Sequence, residues 1–427
     1  GRVWAEVPLP PCGWTTLAPS PQGGEGRGEG GMLAAQALLT PPSPQGGEGR
    51  GEGGTLLEQP SADLAARHGA EFPLTHTGER AQAGEAPAAV LENELLRVEF
   101  NALGEIIHIL DKESGRDWAA GPCNSFRMYK DVPTSFDAWD IDSQYALTPV
   151  QLDEPAEFEP VGSGPLVARL RVRRRLHQST MVQEISLRRG SRRVDFATTI
   201  DWQERHKLLK VNFPVTVYAN EAVHEIQFGH VRRPNHASRP FDADRFEVSN
   251  HKWSALVEEG RGFAVLNDCK YGLNVSGNSI NLTLLKSALA PDMTADLGRH
   301  EFTYAFYAWN GPLAESDLLR QAYDLNCPVL TATGAAGERS LFSLDAPNVV
   351  IEAVKPAEDG SGDVVLRLYE AMRTATRCTL TTPLEVQRAA QTNMLEEAVA
   401  PLACEGGRIA LDFRPFEIKT VRLAVAR

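Results

Sequence analysis

The stretch that decides the fold lies between residues 222 and 308. It reads AVHEIQFGHVRRPNH at 222–236, FEVSNHKWSALVEEGRGFAVLNDCKYGLNVSGN at 246–278 and LLKSALAPDMTADLGRHEFTYAFYA at 284–308. Apolar residues alternate with polar ones over short runs, which is typical of half-buried β-strands. The runs are separated by segments dense in His, Arg, Asp, Asn and aromatic side chains. Because binding chemistry concentrates on loops held by a rigid scaffold, the stretch predicts a β-sheet with functional loops.

The same alternation extends outward in both directions from this stretch. It is clearest at 96–100, 194–202 and 209–215. Only one good helical pattern occurs, at 314–326, and Pro328 ends it. Because strands and helices do not alternate along the chain, a doubly wound α/β fold is excluded. The sequence therefore predicts an all-β protein.

Composition and charge bound the class of protein. The chain has 427 residues, which suggests roughly two to four domains, and 42% of them are hydrophobic. The formal net charge of −13 argues against a nucleic-acid-binding surface, which needs a basic face. No apolar run approaches the ~20 residues of a membrane span. The 6 cysteines are scattered and form no CxxC pair, so we expect reduced thiols and a cytoplasmic protein.

Four segments of the chain differ in composition. Residues 1–18 predict an N-terminal β remnant, and 19–88 predict a disordered insert and linker in which PSPQGGEGRGEGG occurs twice. A segment with so few apolar side chains cannot bury enough surface to offset its ordering entropy. Residues 89–330 predict a large β-domain, and 335–427 predict a small terminal β-sandwich. Because the chain begins at Gly1 rather than at Met, we expect a processed protein or a fragment.

The sharpest group of acidic residues is DVPTSFDAWDID at 131–142. Glycosidases use two carboxyl groups, about 5 Å apart when configuration is retained and further apart when it is inverted. Asp137, Asp140 and Asp142 lie close together in this segment, and Trp139 has a ring that can stack on a sugar. The residues alone fit catalytic carboxylates, the lining of a sugar cleft or a purely structural loop.

Two further groups of polar residues are weaker candidates. His230, His236 and His251 suggest metal ligands, but Pro234 prevents the helical spacing of an HxxxH pair, so we predict no metal site. Residues 267–272, NDCKYG, combine a carboxylate, an amine and a tyrosine ring. A tight turn with a buried cysteine and a glycine at positive φ explains the same segment, and we favour that interpretation.

Blocks of sequence along the central stretch carry a resemblance to a known family. They are QFGH at 227–230 with RPNH at 233–236, RFEVSNHKW at 245–253, NDCKYG at 267–272, and APD through GRHEFTYA at 290–305. In this order and at this spacing they resemble the C-terminal β-region of the α-mannosidases of glycoside hydrolase family 38, the cytosolic and bacterial branch in particular. The resemblance implies a large β-supersandwich similar to galactose mutarotase, followed by a small β-sandwich.

The same resemblance implies sugar contacts rather than catalytic residues. Residues 131–142 resemble the segment that turns toward the active-site cleft, and 286–301 resemble a loop that supplies a basic contact. The predicted substrate-binding residues are Asp137, Trp139, Asp140, Lys286, Arg299 and His300. In the family the nucleophile, the general acid and the metal ligands belong to a separate N-terminal α/β domain, so no catalytic residue or metal ligand is implied here.

We therefore expect the C-terminal, non-catalytic portion of an α-mannosidase. Full-length members of the family hydrolyse terminal α-D-mannose with retention and use a divalent metal, zinc or cobalt. The implied partners are a mannose-containing oligosaccharide and the N-terminal catalytic domain, with no nucleic acid and no membrane. This chain alone is expected to be inactive. Two alternatives stay open, namely a stand-alone carbohydrate-binding β-protein and a mutarotase-like epimerase, which needs a paired general acid and base.

Overall fold

The computed structural model describes residues 13–17, 33–36, 86–333 and 339–426, and most of these residues lie in β-strands. The all-β prediction is confirmed. The first strands are β1 (Gly13–Leu17), β2 (Leu33–Gln36), β3 (Ala89–Glu92), β4 (Leu96–Phe100), β5 (Ile106–Asp111), β6 (Arg116–Asp117), β7 (Ser125–Lys130), β8 (Pro149–Val150), β9 (Glu157–Ser163), β10 (Val167–Leu176), β11 (Ser179–Arg188), β12 (Arg193–Trp202), β13 (Lys207–Pro214), β14 (Glu221–Ile226) and β15 (Gly229–Pro234). The others are β16 (Val248–Ser249), β17 (Trp253–Glu258), β18 (Arg261–Asn267), β19 (Gly272–Ser276), β20 (Ser279–Lys286), β21 (Gly298–Asn310), β22 (Leu330–Thr333), β23 (Arg339–Ser340), β24 (Ser343–Leu344), β25 (Val349–Pro356), β26 (Val364–Glu370), β27 (Thr376–Thr381), β28 (Val386–Thr392), β29 (Ala398–Leu402), β30 (Arg408–Phe413) and β31 (Ile418–Val425).

Helices are few within the described ranges. The short helix α1 spans Pro240–Ala243, and α2 spans Leu318–Asn326. The helix predicted at 314–326 is therefore present from Leu318, and a 3-10 turn at Leu313–Glu315 precedes it. No helix in the described part of the chain is long and apolar enough to cross a membrane.

The chain divides into two compact units. The described residues of unit 1 lie within Leu57–Ile226 and Val231–Asn326. Those of unit 2 lie within Ala5–Leu56, Gln227–His230 and Cys327–Arg427.

Unit 1 is built on two large antiparallel sheets. One has nine strands in the order β15-β14-β17-β18-β21-β12-β11-β10-β9, and the other has six in the order β16-β19-β20-β13-β7-β8. A four-stranded sheet, β3-β4-β5-β6, completes the unit. The apolar faces of the two large sheets pack together through aromatic rings. The ring centroid of Phe213 of β13 lies 5.9 Å from that of Phe196 of β12 and 6.2 Å from that of Tyr304 of β21. These side chains are fully buried, so the alternation read from the sequence marks the core of a β-sandwich.

Unit 2 contains a smaller sandwich. A five-stranded sheet, β25-β26-β31-β28-β29, and a three-stranded sheet, β24-β27-β30, share one core that includes Leu366, Leu380, Ile409 and Val421. A four-stranded sheet, β22-β2-β1-β23, also belongs to this unit.

Much of the predicted N-terminal organisation lies outside the described residues. Within the predicted β remnant at 1–18, only β1 is described. Within the predicted disordered insert at 19–88, the described residues are the strand β2 and residues 86–88. The boundaries predicted for the four segments stay predictions.

Candidate functional site

Three loops meet at one end of the strands of the six-stranded sheet of unit 1. β13 pairs in antiparallel register with β7 on one side and with β20 on the other. The end of β7, the start of β13 and the end of β20 therefore lie at the same end of the sheet's strands. We call the three loops that leave this end of the sheet the rim, and they span residues 131–148, 203–206 and 287–297.

A buried ion pair ties the first rim loop to the end of β20. The Lys286 amine lies 2.6 Å from Oδ2 of Asp131, whose side chain is 0% exposed. The other oxygen of Asp131, Oδ1, accepts a 2.8 Å hydrogen bond from the backbone N–H of Asp142. Both carboxylate oxygens of Asp131 and the charge of Lys286 are thus engaged within the rim.

Asp137 joins all three rim loops. Its Oδ2 accepts hydrogen bonds from the N–H groups of Leu289 at 2.7 Å and Ala290 at 3.1 Å, and it lies 3.0 Å from Nε2 of His206. Burial alone would raise the pKa of the Asp137 carboxyl, but the bonds from Leu289, His206 and Ala290 outweigh burial and lower it. The second oxygen, Oδ1, is buried and has no hydrogen-bond partner among the described residues.

Two aromatic side chains of the first rim loop, Phe136 and Trp139, face solvent. Trp139 is 74% exposed and Phe136 is 67% exposed, and their ring centroids lie 6.3 Å apart in an edge-to-face arrangement. The carbonyl of Phe136 accepts hydrogen bonds from the N–H groups of Trp139 and Asp140, which closes a tight turn. Asp140 is exposed on this turn. The rim therefore presents an accessible indole ring beside an accessible carboxylate.

Arg299 and His300 belong to the start of β21, directly after the third rim loop. Arg299 forms an ion pair with Glu301 and lines a groove of about 560 Å³ with Val182, Thr199 and Asp201 on the nine-stranded sheet. Nε2 of His300 lies 2.7 Å from the carbonyl oxygen of Asp296. The structure thus brings Asp137, Trp139 and Asp140 together in the rim, with Lys286 at its base. It also connects His300 to the third rim loop through Asp296, whereas the contacts of Arg299 lie on the nine-stranded sheet.

Two residues of the rim received no role from sequence reasoning. Asp131 lay in the quoted acidic segment without being singled out, and His206 was not considered. Their partners are far along the chain, since Asp131 and Lys286 are separated by 155 positions and His206 and Asp137 by 69. No local pattern carries that information, because it depends on the strand order of the six-stranded sheet.

Two of the three histidines considered as metal ligands make structural contacts, and the third, His236, is exposed. Nδ1 of His230 lies 3.1 Å from the carbonyl oxygen of Ala371, and its ring packs against Phe416. The ring of His251 packs against Tyr271. Within the described ranges no group of three or more His, Cys, Asp or Glu side chains is placed to hold a metal ion. The residues that are described do not fit a divalent metal, and we derive no step through one.

The NDCKYG segment is a turn, but not of the predicted kind. Oδ1 of Asn267 accepts a hydrogen bond from the N–H of Lys270, which closes the turn. Cys269 is exposed, so the prediction of a buried cysteine is wrong. Gly272 opens β19 and is not among the residues with positive φ, so that expectation is wrong too. The extended backbone of β19 explains the difference, because a strand requires negative φ.

Two family models match the chain, and they follow the two sandwiches. The model described as "Glycosyl hydrolases family 38 C-terminal domain" matches residues 91–294. The model described as "Glycosyl hydrolases family 38 C-terminal beta sandwich domain" matches residues 348–421. A chain with this pair of domains is the C-terminal β-region of a glycosyl hydrolase. The chain belongs to glycosyl hydrolase family 38, the family of the α-mannosidases that it resembles.

Individual proteins agree with this assignment. The chain is 37% identical over 353 residues to Alpha-mannosidase 2C1 of Homo sapiens, which covers 79% of this chain and 34% of that protein. It is 32% identical over 353 residues to Alpha-mannosidase G of Dictyostelium discoideum, covering 78% and 32% respectively. An α-mannosidase structure from Enterococcus faecalis V583 has the same fold, with a TM-score of 0.64 at 19% identity over 80% of this chain and 42% of that chain. The chain thus spans about a third of the length of the curated relatives.

Proposed function

We propose that this chain is the non-catalytic C-terminal portion of an α-mannosidase and that its rim lines the edge of the sugar cleft. The full protein would hydrolyse terminal α-D-mannose residues with retention, and its substrate would be a mannose-containing oligosaccharide. The relatives that support the proposal are themselves named α-mannosidases. The observation that carries the proposal is the rim itself, where loops distant in sequence meet and present Trp139 to solvent.

Each rim residue has a distinct part in this proposal. Trp139 covers the apolar C–H face of a pyranose, and the exposed carboxylate of Asp140 accepts hydrogen bonds from sugar hydroxyls. Asp137 and Lys286 hold the loops in place instead, because their polar groups are bonded to Leu289, Ala290, His206 and Asp131. A contact surface anchored in this way is pre-organised, so little loop ordering would oppose sugar binding.

The proposal is tested by sugar binding to matched aromatic variants. The affinity for linear α-linked mannotriose is measured by calorimetry on the 427-residue chain and on each variant, and in the unmodified chain the indole N–H signal of Trp139 is also followed by NMR. We expect W139A to weaken this binding roughly tenfold, since loss of one stacked ring costs about 1 kcal/mol or more.

The control is Y218A, which removes another exposed aromatic ring from the loop between β13 and β14. That loop leaves the opposite end of β13, so the Y218A variant should bind mannotriose like the unmodified chain. Equal affinities of W139A and Y218A, or an indole signal of Trp139 that does not move on titration, would contradict a role of the rim in sugar binding.

A further inference from the structure

A segment rich in arginine follows β15 and is exposed to solvent. Residues 232–245 read RRPNHASRPFDADR and include the short helix α1. The guanidinium carbon of Arg239 lies 5.6 Å from the ring centroid of Phe241, and that of Arg245 lies 5.3 Å from the same centroid. Phe241 is 49% exposed, and Arg239 and Arg245 are exposed as well. We call Arg232, Arg233, Arg239, Phe241 and Arg245 the arginine patch.

The arginine patch is held in place although it is exposed. Asn235 is buried, and its amide donates hydrogen bonds to the carbonyls of Ala219 at 2.7 Å and Gly277 at 2.8 Å. Asp242 is also buried, and its Oδ2 accepts a 3.0 Å hydrogen bond from the N–H of Arg239 at the start of α1. Because these contacts fix the segment, little ordering entropy would oppose the binding of a partner.

The arginine patch carries more positive than negative charge. Arg232 pairs with Glu221 of β14, and the guanidinium of Arg245 lies 2.9 Å from the buried carboxylate of Asp242. The remaining carboxylate of the segment, that of Asp244, is exposed. Four arginines thus face three carboxylates, in a chain whose formal net charge is −13. A local excess of positive charge on an acidic chain favours an acidic partner.

Two arginines of the patch, Arg233 and Arg239, have no ion pair within the part of the chain that the structure describes. Arg233 donates a 2.9 Å hydrogen bond to the carbonyl of Ser249 instead. Burial and the charge of Arg245 lower the pKa of Arg233, although an arginine stays protonated at neutral pH. The next carboxylate along the chain, that of Glu247, is bonded to Lys210. The charges of Arg233 and Arg239 are therefore available to carboxylates of a partner.

We propose that the arginine patch is a docking surface for an acidic segment of another protein. Arginine and aromatic residues dominate the binding energy of protein interfaces, and the patch combines both types on an exposed surface. The planar guanidinium group matches a carboxylate, and alternate side chains of an extended segment lie about 7 Å apart, so two carboxylates can reach the arginines beside Phe241. A peptide suits the patch better than an inorganic anion, which would leave the Phe241 ring uncovered. The proposal does not rest on sugar binding at the rim.

The experiment measures binding of a fluorescein-labelled peptide of four Glu-Glu-Leu repeats to the full chain by fluorescence anisotropy. This peptide supplies both carboxylates and apolar side chains. We expect R239E to weaken binding about tenfold, since it removes a favourable charge pair and adds a repulsive one. F241A should weaken binding roughly threefold or more through loss of the apolar anchor. D244N should strengthen binding about twofold, because it removes a negative charge from the patch.

A matched variant and a matched peptide control for net charge. Arg388 of β28 in unit 2 is also exposed, so R388E changes the net charge as R239E does, and it should bind the peptide like the unmodified chain. A peptide with glutamine in place of glutamate should bind about tenfold more weakly or not at all. The proposal is overturned if R239E and R388E bind the acidic peptide equally, or if the glutamine peptide binds as tightly. It is also overturned if F241A binds the acidic peptide unchanged while inorganic phosphate displaces it, because the patch would then be a site for small anions.

Discussion

The ion pair between Lys286 and Asp131 anchors the first rim loop to the end of β20. The Asp131 side chain is fully buried, so removing Lys286 would leave a buried charge without its partner. Breaking such a pair from one side is strongly destabilising, by about 3 kcal/mol or more. We expect K286A to lower the free energy of unfolding of unit 1 by roughly that amount, measured by urea denaturation.

A matched pair of controls separates this effect from the loss of any ion pair. Arg232 and Glu221 form an exposed pair in the same unit, so R232A should cost less than about 1 kcal/mol. The double substitution D131N/K286M removes both charges, and it should recover part of the stability lost in K286A. If K286A and R232A have the same small effect, Lys286 does not anchor the rim.

The Asp137 carboxyl makes the rim sensitive to acid. Its pKa is lowered because the hydrogen bonds from Leu289, His206 and Ala290 outweigh the effect of burial. A carboxyl with a lowered pKa in the folded chain stabilises the fold above the unfolded value of about 4, and this contribution is lost as the pH falls through the lowered pKa. We expect D137N to be less stable than the unmodified chain at pH 7, and the difference to shrink below about pH 4.

The measurement is the free energy of unfolding at a series of pH values. D140N is the matched control, because Asp140 is exposed on the same loop, and it should be as stable as the unmodified chain at pH 7. A stability difference for D137N that stays constant from pH 7 to pH 3 would show that the Asp137 charge does not hold the loops.

The site could be predicted from the sequence only in part. The aromatic and acidic segment 131–142 could be recognised because its residue types suit a sugar, and Trp139 is exposed as such a role requires. The sequence could not show that Asp137 connects two loops by hydrogen bonds, since the donors are backbone N–H groups more than 150 positions away. Backbone donors look alike in every sequence. Only the strand register decides which ones meet a given carboxylate.

Among the strands, the close pairing of β18 with β21 depends on a glycine, which leaves room for a tryptophan ring on the neighbouring strand. Gly262 of β18 stands opposite Trp309 of β21, and a Cβ atom at Gly262 would lie 2.0 Å from the indole ring. Because Trp309 is buried, its ring has little room to move aside. We expect G262A to destabilise unit 1 by roughly 1–3 kcal/mol, as overpacking does.

The neighbouring hairpin provides the control for this substitution. A Cβ atom at Gly260 would meet nothing within 4 Å, so G260A should alter the free energy of unfolding by less than about 0.5 kcal/mol. Both variants are compared by urea denaturation followed through tryptophan fluorescence. Equal stabilities of G262A and G260A would mean that the two strands do not pack as closely as the structure indicates.

Strands with strict alternation could be placed from the sequence, and the others could not. The alternation at 96–100 coincides with β4, that at 194–202 lies within β12, and that at 209–215 runs one residue past the end of β13. β28 and β29 were missed, because VQRAAQT and AVAPL carry small or polar residues without an apolar period of two. Strand order was also out of reach, since β12 pairs with β21 about 100 positions away. The alternation of apolar and polar residues indicates which face of a strand is buried, but it does not indicate which other strand pairs with it.

For the whole molecule, two carboxylates of the rim, Asp131 and Asp137, are held in structural contacts. Retaining hydrolysis needs two carboxyl groups about 5 Å apart, one of which attacks the sugar while the other exchanges a proton. Asp131 is buried against Lys286, and Asp137 is bonded to His206 and two backbone N–H groups, so neither is placed to attack. We therefore expect the purified chain not to hydrolyse p-nitrophenyl α-D-mannoside, with or without zinc or cobalt. The measurement is nitrophenol release against a protein-free blank, with D137N assayed in parallel. Metal-dependent release that persists through purification and disappears in D137N would overturn this expectation and make Asp137 a catalytic residue.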